Sequence, residues 1–247
     1  MDKERGFFMH RDFYIRLINR EHPLPETFVP EHLIDIGLPF EAAPGDPKRL
    51  LECQAARAAS QLFHACHRCG LNLWAVSGYR SFRRQQELFT GSPFVAQPGT
   101  SEHQSGLALD VSCPSIHMEL SEQFSATGEG RWLKNNAALY GFILRYPKNR
   151  EEITGVPYEP WHIRYVTKPL ASWLTITNLT LEEYHSFPSR CPHPPRLPDF
   201  CLLFHLPSKE TGRSTDKSSF FFSQHCFFIF SKKNHRTDGI TGAQNWL

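Results

Sequence analysis

The chain has 247 residues, 40% of them hydrophobic and 21% charged, with a formal net charge of +2 at pH 7. That length holds one domain with a substantial core plus extensions, and so even a charge balance argues against a nucleic-acid binder or a trap for acidic substrates. No apolar run approaches the roughly 20 residues that span a bilayer, so no transmembrane segment is expected. The opening MDKERGFFMHRDFYIRLINREH is broken by charge too often to serve as the apolar core of a signal peptide.

The elements follow in chain order. HPLPETFVPEHL carries Pro23, Pro25 and Pro30 and reads as an extended arm lying on the domain. GDPKRLLECQAARAASQLFHACHRCG is the clearest helix, opened by Asp46 and Pro47 as N-cap and first residue and closed by Gly70. Leu51, Ala55, Ala58, Leu62 and Ala65 form its apolar face. LNLWAVSGYR alternates as a strand, and SFRRQQELFT reads as a second helix of about three turns. Residues 107–112 alternate again, with Leu107, Leu109 and Val111 on one side and Ala108, Asp110 and Ser112 on the other. EGRWLKNNAALYGF predicts a helix with Trp132, Leu133, Ala137 and Tyr140 on one side and Gly141 as its stop. EPWHIRYV predicts a strand, with Trp161, Ile163 and Tyr165 opposite His162, Arg164 and Val166. TLEEYHSF predicts a last short helix. Helices and short strands mixed in this way predict an α+β fold with a small, mainly antiparallel sheet and flanking helices.

The last quarter differs. Residues 1–185 carry 19 Lys and Arg against 21 Asp and Glu, whereas residues 186–247 carry 8 against 4. The tail also holds three of the seven cysteines and nine of the twenty phenylalanines. Its SSFFFSQHCFFIFS segment fits an edge strand or an aggregation-prone window. No functional reading attaches to it. The odd cysteine count and the spacings give no disulfide framework, which favours a reduced chain or one whose cysteines are incidental.

Chemistry concentrates in TSEHQSGLALDVS. His103 and Asp110 stand seven residues apart, which on a plain strand would put them on opposite faces. Gly106 between them lets the chain bend so that both face one side. Imidazole nitrogen and carboxylate oxygen suit zinc, and a catalytic zinc takes three protein ligands and leaves one position for water. His162, on the polar face of its strand, supplies the third. Glu159 precedes Pro160 and approaches that strand in extended conformation, where a carboxylate can take a proton from a metal-bound water.

SGYRS, SEHQSGLALD, WLKNNAALYGFILRYP and YEPWHIRYV, in that order, resemble the VanY-type D-alanyl-D-alanine carboxypeptidases, zinc peptidases of the wider D,D- and L,D-carboxypeptidase group. The likeness runs from about Leu17 to Tyr184. It implies one Zn²⁺ bound by His103, Asp110 and His162, with Glu159 as general base. It also implies that Arg80 reaches the substrate, a role its planar, permanently charged fork suits. Ser101 is a candidate hydrogen-bond partner for substrate and Gln85 a weaker one. The expected substrates are peptidoglycan stem peptides or muropeptides that lose a terminal D-alanine. The expected organisation is an N-terminal arm (1–20), a zinc carboxypeptidase domain (21–185) and an unassigned tail (186–247) for which disorder is one reading. The resemblance implies an extracytoplasmic, cell-wall location, while the lack of an export signal leaves the cytoplasm open; the sequence does not fix the oligomeric state, and a monomer is the expectation.

Other readings stay beside this one. An L,D-carboxypeptidase or an endolysin-like cell-wall endopeptidase would use the same ligands. A non-catalytic zinc-containing binding module would need the metal but not Glu159 or Arg80. HACHRC offers His64, Cys66, His67 and Cys69, but a zinc ribbon needs a second Cys pair and none follows at a suitable distance. The signatures H-E-x-x-H and H-x-E with P-C-x-x-C are absent.

Overall fold

Asp46 and Pro47 open a single 3-10 turn, Pro47–Arg49, and not the long helix that the sequence suggests. The computed structural model describes residues 12–92 and 95–187, so the tail beyond Phe187 and the first eleven residues of the arm lie outside the described residues. After the turn, strand β2 (Leu51–Glu52) pairs antiparallel with β1 (Leu33–Ile34), which takes Leu51 out of the helix face assigned to it. Helix α1 then runs Cys53–Arg68 with Glu52 as its cap, the carboxylate accepting from the backbone of Gln54 and Ala55. The reason is tertiary. Glu52 and the backbone of Gly106 share a hydrogen bond, from Glu52 N to Gly106 O at 2.9 Å, so the chain at 51–52 serves the loop that leads to the site.

The main sheet holds four strands, β3 (Trp74–Ser77), β4 (Ala108–Ser112), β5 (Phe142–Tyr146) and β6 (Glu159–Tyr165), in the spatial order β3–β4–β6–β5 with every pairing antiparallel. The expected α+β class, with a small antiparallel sheet and flanking helices, is the one observed. One face of the sheet is apolar: Leu109, Val111, Trp161 and Ile163 pack with Ala56, Ala59, Leu62, Phe63 and Cys66 of α1. Ala55, Ala58, Leu62 and Ala65 are buried, as the helix periodicity requires.

Helix α2 (Phe82–Leu88) is capped by Ser81, and α3 (Gly128–Asn136) by Thr127. The chain then tightens into a 3-10 turn, Ala137–Tyr140, that ends at Gly141 in the left-handed region, φ +89°. A short helix α4 (Glu151–Thr154) precedes β6. Beyond β6 come α5 (Lys168–Thr177) and α6 (Leu181–Ser186), the latter with a complete capping box between Thr180 and Glu183. β5 and α5 are elements that the sequence reading did not assign. Leu170, Ala171 and Leu174 of α5 build a second core cluster with Leu17, Ile143, Val166 and Leu181. The described part of the arm thus packs into the domain, with Tyr14, Leu17 and Ile18 buried.

Candidate active site

Register places the first two functional side chains. Asp110 of β4 lies directly opposite His162 of β6, next after the pairs Ala108 with Arg164 and Leu109 with Ile163. Directly opposed residues of an antiparallel pair project from the same face, and Asp110 Oδ1 meets His162 Nδ1 at 2.8 Å. The third group arrives from a 3-10 turn, Glu102–Ser105, that ends at Gly106 with φ +69°. A side chain at Gly106 would also collide with Leu33 at 2.8 Å and Glu52 N at 3.0 Å, so glycine serves both the bend and the close approach. The turn brings His103 Nε2 to 3.1 Å from Asp110 Oδ2.

His103, Asp110 and His162 are all buried, and one donor atom from each lies within 4.8 Å of the other two. The donor set fits a tetrahedral metal with one open position. His103 Nδ1 donates to the carbonyl of Gly78 at 2.7 Å, which assigns the lone pair of Nε2 to the side facing Asp110. Burial pushes the His103 imidazole down, more than the neighbouring Asp110 raises it, which favours the neutral form. At His162 burial is outweighed by hydrogen bonds to Asp110 and Glu102, which push it up to about 10. A proton on Nδ1 there would have to leave before a metal could bind that atom. Asp110 also resists burial: the two imidazoles hold its carboxyl well below the usual range.

Glu159, the first residue of β6, pairs with Tyr146 of β5. Its Oε2 lies 4.0 Å from His162 Nδ1. Burial pushes its carboxyl up to about 7; His162 and Arg80 pull it down and Asp110 pushes further up. Arg80 follows β3 and donates from Nη2 to Ser77 Oγ at 3.1 Å and from Nη1 to Gln85 Oε1 at 3.0 Å. A cleft of about 1250 Å³ opens over these groups, lined by Arg80, Ser101, His103, Asp110, Glu159 and His162 together with arm residues such as Leu17 and His22 and with Tyr158 before β6.

Five of the residues named from the sequence therefore converge with Arg80 near at hand: His103, Asp110, His162, Glu159 and Ser101. Gln85 does not line the cleft. It is 1% exposed and stands behind Arg80, with Nε2 donating to Ala96 O at 2.6 Å. His64, His67 and Cys69 are exposed on or just after α1, and Cys66 is buried in the core, so HACHRC forms no donor cluster. Sequence reasoning missed Glu102, Arg145 and Arg164, a buried charged group behind His162. The signal available was one arginine in each of two strands, each between apolar neighbours and one of them two residues from His162.

The profile of the VanY family, described as D-alanyl-D-alanine carboxypeptidase, matches residues 48–168. YodJ of Bacillus subtilis (strain 168) is 43% identical over 180 residues, 69% of this chain and 66% of that protein. A D-alanyl-D-alanine carboxypeptidase of Enterococcus faecium is 35% identical over 178 residues, 69% of this chain and 57% of that protein. The bifunctional D-Ala-D-Ala dipeptidase and D-Ala-D-Ala carboxypeptidase VanXYC of Enterococcus gallinarum is 36% identical over 187 residues, 70% of this chain and 94% of that protein. The chain thus spans two thirds or less of the first two relatives. Among solved structures, the LdcB LD-carboxypeptidase superposes with a TM-score of 0.66 at 43% identity, covering 68% of this chain and 84% of that one. A glutamate-to-alanine variant of the vancomycin resistance D,D-pentapeptidase VanY, in complex with Zn(II), superposes at 0.58 with 33% identity, covering 70% and 99%.

Proposed function

The chain belongs to the VanY family of D-alanyl-D-alanine carboxypeptidases, and from that membership and the geometry of the cleft we propose that it is a zinc-dependent carboxypeptidase that removes the C-terminal D-alanine from peptidoglycan stem peptides. The observation that carries the reading is Glu159, a buried acid 4.0 Å from His162 and on the same cleft as Arg80. A purely structural metal site has no use for either.

His103, Asp110 and His162 would hold one zinc ion, the metal bound by the VanY neighbour. When bound it supplies Lewis acidity at the scissile carbonyl and lowers the pKa of a coordinated water to about 7. Glu159 is the general base. Its burial poises the carboxylate for proton transfer near neutrality: it takes the proton of the attacking water and returns it to the departing amine. Arg80 grips the terminal carboxylate of the peptide or the developing oxyanion with its fork. Ser101, beside His103 on the cleft wall, hydrogen-bonds the substrate backbone. Gln85 acts one step back, by holding Arg80 in place. The cell-wall relatives support an extracytoplasmic site of action. Among the described residues no helix is long and apolar enough to cross a membrane.

A second reading rests on the LD-carboxypeptidase neighbour at 43% identity: the same groups acting on a tetrapeptide whose penultimate residue has the L configuration. D-Alanine release from a muropeptide pentapeptide and from the tetrapeptide, with zinc and with chelator, separates the two. Zinc-dependent release from the pentapeptide, abolished in Glu159→Ala while zinc stays bound, is the expected result. Release from the tetrapeptide alone moves the assignment to L,D cleavage. No release from either, with one zinc tightly held, refutes the carboxypeptidase.

A further inference from the structure

Behind the candidate ligands lies a buried charge cluster that the catalytic reading does not use. The side chains of Glu102, Arg145 and Arg164 are 0% exposed. Burying three charges is costly unless each is paired and its remaining hydrogen-bonding capacity is met. Here the pairing is asymmetric. Both guanidinium groups converge on one oxygen of Glu102: Arg145 Nε donates to Oε1 at 2.7 Å and Arg164 Nη1 donates to the same atom at 2.9 Å. The other oxygen, Oε2, faces His162 Nε2 at 3.4 Å.

Each arginine is itself held. Arg145 spends its two terminal nitrogens on Glu182 of α6, at 2.8 and 2.5 Å. Arg164 Nη2 donates to the carbonyls of Tyr14 and Arg16 in the arm, at 3.3 and 3.1 Å, and its Nε donates to Tyr165 O at 3.1 Å. The orientation of Glu102 is therefore determined from β5, β6, the arm and the last helix together. His162 has two ring nitrogens. With Nε2–H directed to Glu102, the lone pair sits on Nδ1, the atom that faces Asp110 and the cleft. His103 is held by the mirror arrangement, Nδ1–H to the Gly78 carbonyl. The two partners differ in kind: a carboxylate raises the donor strength of an imidazole more than a carbonyl does.

We infer that Glu102 is a positioning residue that sets the tautomer, tilt and donor strength of His162, with Arg145 and Arg164 balancing the charge of its carboxylate. This rests on the reading of His162 as a metal ligand.

The test uses the full chain and zinc affinity, measured by competition with a chromophoric chelator, with visible spectra of the cobalt-substituted protein alongside. Glu102→Asp keeps the charge that balances the two arginines, which protects folding, but withdraws the carboxylate by one methylene. Glu102→Gln removes the charge. Glu182→Gln breaks only the outer pair with Arg145 and is the control for loss of stiffness. Glu102→Asp is expected to weaken zinc binding about 10- to 100-fold and to shift the cobalt spectrum. Glu182→Gln should lower the melting temperature yet change the zinc dissociation constant by less than about threefold, since it leaves Glu102 and His162 in contact. Wild-type affinity and spectrum in Glu102→Asp overturn the inference, as does an equal loss in Glu182→Gln. Should Glu102→Gln fail to fold, Glu102→Asp still decides. A wild-type chain that binds no stoichiometric zinc overturns the ligand set itself, an outcome distinct from a variant that binds zinc normally.

Discussion

Gln85 offers a sharp test of how the substrate end of the cleft is built. Its side chain bridges Arg80 Nη1, at 3.0 Å, and the carbonyl of Ala96, at 2.6 Å, from a position 1% exposed. The second anchor of Arg80 is Ser77 Oγ at 3.1 Å. Gln85→Ala therefore removes one of two side-chain bonds that aim the guanidinium. A hydrogen bond to a charged group contributes about 1.5–3 kcal/mol. If that energy serves to hold Arg80 where the transition state needs it, kcat/KM falls about 10- to 100-fold. The same change strands the Ala96 carbonyl, at about 1–3 kcal/mol of stability, so activity must be read well below the melting temperature and per bound zinc. The discriminating assay is a double-mutant cycle on D-alanine release with Arg80→Ala. A group that acts only through Arg80 has nothing left to do in its absence, so Gln85→Ala/Arg80→Ala should be no slower than Arg80→Ala. A loss of the same factor in both backgrounds would refute the positioning role and return Gln85 to direct contact or to general folding.

Three further expectations follow from burial and backbone geometry. Gly141→Ala places a Cβ 2.7 Å from the Tyr165 ring at φ +89°, and strain plus the clash should cost about 2–4 kcal/mol. For a domain of this size that is a fall of roughly 4–16 °C in melting temperature, and an unchanged value would contradict the left-handed turn. Thiol labelling of the native chain, read by mass spectrometry, should modify exposed Cys69 quickly and spare Cys66, whose thiol burial pushes up to about 12, until the domain unfolds. Asp35 accepts from Arg49 Nε at 2.7 Å, and that bond holds its carboxyl below the usual value. A depressed folded pKa gives stability that is present above the unfolded value, near 3.9, and lost as pH falls through the folded one. With the carboxylate side chain about a third exposed, Asp35→Asn should cost less than about 1 kcal/mol at pH 7. The difference between Asp35→Asn and wild type should vanish in strong acid, and a gap that persists there would mean the pair is not its source.

The elements that could be read in advance are those whose own pattern decides their structure. The alternation of Leu109 and Val111 against Asp110, and of Trp161 and Ile163 against His162, is the period of strands with one apolar and one polar face; both faces are buried here, one in the core and one at the site, and these two strands pair as neighbours. α6 carries its own capping box. The opening of α1 was misplaced because Asp46 and Pro47 form a sound start signal that tertiary pairing of Leu51 with Ile34 overrides; Glu52, an unusual cap, takes over. β5 was missed because FILRY has no clean period: Phe142 and Ile143 are both buried, in different clusters, and Arg145 is buried as deeply as either.

The same contrast separates the proposed ligands from their support. His103, Asp110 and His162 were legible because residue type, a bend-permitting glycine and strand alternation each point to one chemistry. Glu102, Arg145 and Arg164 were not, because a charged residue in a sequence is by default a surface residue, and only the fold shows three of them sharing one buried oxygen. The proposed ligand set is encoded more deeply than by its residues' own identities. Asp110 and His162 face each other because Leu109 and Ile163, their neighbours on the opposite face, belong to the core. A slip of β4 by one residue would turn Leu109 and Val111 out of the core and Asp110 into it, at the expense of the whole apolar face. The register of the metal centre is thus held by hydrophobic burial on the far side of the sheet, and substitutions there should disturb metal binding without touching a ligand.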